Sequence, residues 1–281
     1  MKHSFTGRAL CLMAFLTLLT LASPAQNGRT NCEAGTGSLD AAPPKDTSIE
    51  AIIQKFAAEE SRFKSELSNY SYVQDITVQT LNGTTVNGEF RRVSQISWEK
   101  GAFKENVTFS PQSTLQDVSL SPEDFDDIYR SPFILTTENL PQYNIRYEGQ
   151  QKVDEIETYV FETTPKALDK GKRYFQGRVW VDRLGGQIVM SCGKTVPDEV
   201  PQQQKSKKKG KKGQPVQENV SPTIVTYREQ FNGNWFPTYL RADETLHFQT
   251  NEIHIREVVK RREYQRSGAA QGNALVQPAK K

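Results

Sequence analysis

The residues whose types and spacing come nearest to a reactive set are two histidines and a carboxylate near the C-terminal end. If Thr250-Asn251 is the tip of a hairpin, His247 faces His254 across the strands with Glu252 on the same side, a two-histidine, one-carboxylate arrangement. Nothing around them would orient the rings, so they are expected to be solvated and to hold no metal. The run Glu123, Asp124, Asp126 and Asp127 follows Ser121-Pro122, where acidic residues belong in the first turn of a helix. It is read as helix-cap and solvent-facing charge. No Gly-rich phosphate loop, HExxH or GxSxG occurs, so the chain is expected to need no cofactor and not to be an enzyme.

Cys32 and Cys192 are the cysteines outside the N-terminal apolar run. Cys192 ends the alternation Ile188, Met190, Cys192, which favours a buried free thiol; a Cys32 to Cys192 bridge is the alternative. There is no CxxC and no Cys/His set with metal spacing.

The elements that must position these residues begin after a targeting segment. Lys2 and Arg8 precede the 13-residue apolar run Ala9 to Leu21, and Ser23-Pro24-Ala25 supplies small residues for cleavage. A membrane-spanning helix needs about 20 apolar residues, so residues 1–25 read as a secretory signal peptide and the mature chain as soluble after cleavage near Ala25. Residues 26–46, rich in Gly, Pro and Ala, are expected to be a flexible leader, and residues 267–281 a disordered tail. Between them lies one domain, residues 47–266. It opens with an amphipathic helix in which Ile49, Ile52, Ile53, Phe56, Phe63 and Leu67 share a face, with Thr47 and Glu50 as a capping box.

From Tyr70 onward the period changes to two, giving about eleven strands. Asn82-Gly83, Asn87-Gly88, Lys100-Gly101, Gly149-Gln150, Gly185-Gly186 and Asn232-Gly233 read as turns between them, and Phe236 to Ala242 and Thr245 to Phe248 as separate strands. The alternation breaks at Leu115 to Leu140, which reads as a lid or crossover carrying a short helix. The fold expected is mainly β: an open, strongly curved antiparallel sheet, a half-barrel, with the N-terminal helix packed in its concave face. Ile52, Phe56, Phe63, Trp98, Tyr143, Ile145, Tyr147, Phe248, Ile253 and Ile255 are the residues expected to line that face.

Charge is unevenly pooled. Six lysines (Lys205, Lys207, Lys208, Lys209, Lys211, Lys212) sit in the Gly, Gln and Pro-rich stretch 200–220, and without these and the signal peptide 28 basic residues face 33 acidic ones. A nucleic-acid binder would spread cations over a folded face among aromatics, so nucleic acid is not an expected partner. The stretch reads as a solvated loop between two strands, able to touch an anionic membrane surface transiently.

Three stretches carry a family likeness. ETYVFETTPK (Glu157 to Lys166), then YFQGRVWVD (Tyr174 to Asp182) with the Gly185-Gly186 turn, and GNWFPTY (Gly233 to Tyr239) together resemble the LolA-like periplasmic lipoprotein-carrier and outer-membrane lipoprotein-sorting superfamily. The resemblance implies a half-barrel whose cavity holds an acyl chain of a lipoprotein or lipid in the periplasm, with Trp180 and Asp182 in structural roles. A monomeric carrier without catalysis is the function it favours. The alternative on the same fold is an envelope regulatory module that binds a partner protein. Deleting 200–220 is expected to leave the melting temperature unchanged. Co-sedimentation with anionic vesicles, lost in the deletion and at high salt, would show that the lysines dock on lipid, since each adds about 1 kcal/mol near the surface.

Overall fold

The computed structural model describes residues 32, 36–130, 135–197, 221–248 and 251–267. The signal peptide, the lysine-rich stretch 200–220 and the tail beyond 267 lie outside the described residues. The elements are β1 (Thr36–Asp40), α1 (Ile49–Leu67), β2 (Tyr70–Asn82), β3 (Thr85–Glu99), β4 (Ala102–Phe109), α2 (Pro122–Arg130), β5 (Tyr143–Val153), β6 (Ile156–Pro165), β7 (Tyr174–Asp182), β8 (Ile188–Val196), β9 (Ile224–Phe231), β10 (Asn234–His247) and β11 (Glu252–Arg266). All eleven strands form one antiparallel sheet in the order β1-β5-β6-β7-β8-β9-β10-β11-β2-β3-β4. It does not close, and the architecture is the expected curved half-barrel with α1 in its concave face.

The chain crosses that face twice. From the edge strand β1, α1 carries it to β2 on the other side of the sheet; from the opposite edge strand β4, the segment containing α2 brings it back to β5. Strands β5 to β11 then meander until β11 pairs with β2, Ile255 opposite Thr80 and Val259 opposite Ile76.

Helix α1 forms where the 3.6-residue spacing predicts, but its cap is Ser48, one residue later than expected: the Ser48 hydroxyl accepts from the Ala51 N–H at 3.1 Å. Its buried stripe, Ile52, Phe56, Ala57, Glu60, Phe63 and Leu67, spans two clusters. Ile52 and Phe56 pack on Tyr159, Phe161, Val179 and Ile188, with the Phe56 and Phe161 rings 5.4 Å apart. Phe63 and Leu67 pack on Tyr70, Tyr72, Ile96 and Phe236. Under α2 a third cluster gathers Ile76, Val78, Ile128, Leu240 and Val259.

Several sequence expectations change here. Thr36–Asp40, inside the segment expected to be a flexible leader, is β1, which pairs with β5. Gly149, read as a turn, lies within β5 at φ +148, and a Cβ there would come 2.3 Å from the Asp40 carbonyl oxygen; the glycine admits the neighbouring backbone. Asn87-Gly88 is likewise not a turn but lies within β3, where the register with β2 slips between Thr80 and Leu81. The two segments read as separate strands around Asp243 are one strand, β10, so the total of eleven arises from one strand missed and one divided in two. Asp243 is outward-facing in an unbroken alternation.

The free-thiol reading of Cys192 is overturned. Cys192 is bonded to Cys32, 160 positions away. A register slip between Trp180 and Val181 against Met190 and Ile188 turns Met190 and Cys192 away from the face that Ile188 shares with α1. They join Trp180, Val160 and Val189 in a second, outer core, where Cys32 also sits.

Phe56 is fully buried in a filled cluster. Phe56→Ala is therefore expected to cost about 3–5 kcal/mol in urea unfolding. A loss well below this would mean that the helix covers an open cavity there.

Candidate functional site

The two halves of the concave face are built differently. Beneath α1 the aromatic stripe fills the space, and Phe56 and Phe63 are 0% and 1% exposed. A buried ion pair fixes the helix: Arg228 of β9 donates to both Glu60 carboxylate oxygens at 2.6 and 3.0 Å, and its guanidinium lies 5.1 Å from the centre of the Phe63 ring. Glu60 lies on the apolar stripe four residues after Phe56, and a carboxylate at such a position requires a buried cation; that signal was in the sequence and was missed.

Beneath α2 the face leaves a partly open cavity of ≈ 70 Å³, well above the ~10–15 Å³ that admits one water. Val78, Val118, Leu120, Ile128, Leu246 and Phe248 supply much of its apolar wall. Helix α2 forms its roof and is pinned by polar contacts at both ends. At its start the Asp124 carboxylate accepts from the Ser121 N–H and hydroxyl at 2.6 and 2.9 Å, while the Ser121 hydroxyl accepts from the Asp124 N–H, the reciprocal cap that Ser121-Pro122 announced. Near its end, Arg261 of β11, 2% exposed, donates to the Ile128 carbonyl at 2.6 Å and to Gln74 at 2.9 Å. Between them both carboxylate oxygens of Asp127 accept from Arg173, which also donates to the Ser221 hydroxyl at 2.6 Å. Asp127 is thus not the solvent-facing residue expected of the acidic run, because its helical position turns it toward the sheet.

Glu257 stands at the acidic end of the cavity. It shares the inward parity of β11 with Ile253, Ile255, Val259 and Arg261 and is 6% exposed. Among the described residues its Oε1 has no hydrogen-bond partner. Burial first, then the nearby Asp124 and Asp127 charges, push its carboxyl up to about 7. A Glu between Ile255 and Val259 on one strand parity was the available sequence sign, and the reading passed over it.

The residues expected to line one continuous apolar surface are dispersed. Phe248 and Ile255 line the cavity under α2, and Ile253 packs beside them with Leu246. Tyr143 borders an adjoining hollow of ≈ 410 Å³ with Arg173 and Leu135, while Ile52 borders a groove of ≈ 920 Å³ beside the β7–β8 turn. Ile145 and Tyr147 pack against the α1 cluster, and Trp98 against the cluster containing Phe63. Phe56 and Phe63 are core. The histidines do not meet: Glu252 is the register partner of His247 and bonds to it at 2.9 Å, while His254 faces Thr245 and bonds to Asp243 at 2.7 Å. The hairpin turn is placed so that each histidine takes a different carboxylate.

No helix among the described residues is long and apolar enough to cross a membrane. No protein-family model matches the sequence, and no curated protein matches it. The structure is similar to that of a DUF1329 family protein from Desulfovibrio piger, at 13% identity and a TM-score of 0.38, covering 79% of this chain and 94% of that one. It is also similar to a domain from Vibrio parahaemolyticus provisionally named as an outer membrane lipoprotein-sorting protein, at 10% identity and a TM-score of 0.35, covering 78% and 95%. A third likeness, to the Pseudomonas aeruginosa MucA/MucB complex, has 12% identity and a TM-score of 0.22, covering 76% and 99%. At these values nothing about activity follows from them.

The raised Glu257 carboxyl makes stability depend on pH. The folded state holds the proton between the ordinary carboxyl value of 4.5 and about 7, so this contribution is complete below 4.5 and is lost as pH rises through about 7. The span corresponds to about 3 kcal/mol. Glu257→Gln is expected to remove that decline, making the variant more stable than the parent at pH 8 but not at pH 4.5; parallel urea curves at both pH values check it.

Proposed function

We propose that this chain is an exported binding protein, without covalent chemistry of its own, that holds an apolar chain such as the acyl chain of a lipid or lipoprotein in its half-barrel. The observation that carries this reading is the apolar-walled cavity between α2 and strands β2, β9, β10 and β11. It lies on the half of the concave face that α1 leaves unfilled. A hollow lined by Val78, Leu246 and Phe248 has no stabilising role, since it forfeits the dispersion contacts that a larger side chain would make. The signal-like N-terminus supports export, and the periplasm is the compartment in which the reading places the mature chain.

The free edge supports a second reading, an interaction module for a partner protein. Among the described residues strand β4 ends the sheet, and its Phe103, Val107 and Phe109 are 43%, 45% and 50% exposed, an open strand edge with apolar side chains of the kind that accepts an added strand.

The experiment is lipid extraction and mass spectrometry of the purified mature chain, with uptake of a fluorescent fatty acid by the parent and by Leu246→Trp. Uptake by the parent, reduced about tenfold when the indole occupies the cavity, is the expected result, with circular dichroism confirming that the variant folds. No extractable lipid and no uptake would overturn the carrier reading. Recovery of a protein instead, lost in Val107→Lys, would select the second.

A further inference from the structure

Resting on the binding reading, we propose that the cavity under α2 takes a ligand with an apolar body and a protonated amine head, the amine set against the Glu257 carboxyl. The cavity has two unlike ends. Along β11, Ile253 and Ile255 precede Glu257, and across the hairpin Leu246 and Phe248 continue the apolar wall. At the other end Glu257 meets Asp124 and Asp127 of α2, with Ser221 alongside. An amphiphile therefore has one orientation here, its head beneath α2 and its body toward the β10–β11 hairpin.

The charges facing Glu257 select the head. From α2 come Asp124 and Asp127; the strands beside it place Val78 and Ala242 opposite, neither of them charged. Arg173 directs its guanidinium to Asp127 and Ser221, and Arg261 donates to Gln74 and the Ile128 carbonyl. A carboxylate or phosphate head would enter a region already holding acidic groups, against both desolvation and repulsion. A hydroxyl could donate one hydrogen bond to Oε1. An ammonium brings three donors and the opposite charge, satisfying the oxygen that has no partner among the described residues. The volume of ≈ 70 Å³ suits the head and the first carbons of a chain.

Isothermal titration of the full mature chain with octylamine, octanol and octanoate at pH 8 tests this. The amine is expected to bind about tenfold more tightly than the alcohol, and the carboxylate most weakly. Glu257→Gln should lower amine affinity by about tenfold and bring it close to that of octanol, with circular dichroism showing that the variant is folded. The amine preference should grow from pH 6 to pH 8 as Glu257 ionises. Equal affinity for amine and alcohol, or an amine preference that survives Glu257→Gln, would overturn the head-group assignment while apolar binding stands. Binding of none of the three would overturn the cavity as a binding site altogether.

Discussion

An antiparallel sheet that bends without closing must find cover for its concave face, and in this molecule almost everything else follows from how that cover is supplied. The cover cannot be another strand, so it comes from the two crossovers that the strand order demands. Helix α1 supplies half of it with a stripe of Ile52, Phe56, Phe63 and Leu67. A helix lying in a trough needs its rotation fixed as well as its apolar area, and the Glu60–Arg228 pair, both side chains nearly inaccessible, does this with two directional hydrogen bonds. A buried pair of this kind contributes little net stability against a hydrophobic replacement, but removing either partner strands a charge.

Helix α2 covers the other half with different chemistry. It has nine residues; Phe125 and Tyr129 stack against Phe90 and Phe103, and Arg261, Arg173 and its own Ser121 cap add polar anchors. Apolar packing tolerates no gap without a penalty, whereas a roof held by discrete polar contacts can span one. The division of the face into a solid half and a hollow half therefore accompanies a difference in how much of each helix's fastening is polar. It also places the acidic residues of α2, which fasten it, next to the buried Glu257 carboxyl of β11.

The fold was legible wherever a residue's own period reported its surroundings. The α1 stripe, the strand alternation, the Ser121-Pro122 start of α2 and the turns at Asn82-Gly83, Lys100-Gly101, Gly185-Gly186 and Asn232-Gly233 all answer to local sequence. What escaped depends on partners far along the chain. Strand β1 has five residues and no alternation to speak of; its existence rests on β5 and on Gly149 admitting its backbone. Cys192 reverses face because of a register slip against Trp180, which no count along β8 can detect. At the site, Phe248 and Ile255 were found because they are apolar in an alternating strand. Glu257, Glu60 and Asp127 were not, because a charged residue on a buried parity was treated as noise when it marks a position where something must answer it.

The strand order has a consequence for how the molecule comes into being. Strand β11, which follows all the other strands in the sequence, is the seam between two pieces: β2 to β4 on one side, and β5 to β10 with β1 on the other. Until residues 252–266 are in place, β2 and β10 are both raw edges, and the hollow beneath α2 lacks the wall that carries Ile255 and Glu257. The contacts that close the seam join positions far apart in the chain, such as Ile76 with Val259, so assembly is slow in the manner of non-local β folds and exposes apolar edges while it waits. The binding compartment and the completed sheet thus come into existence in the same step, and no shorter N-terminal product of synthesis can have the one without the other.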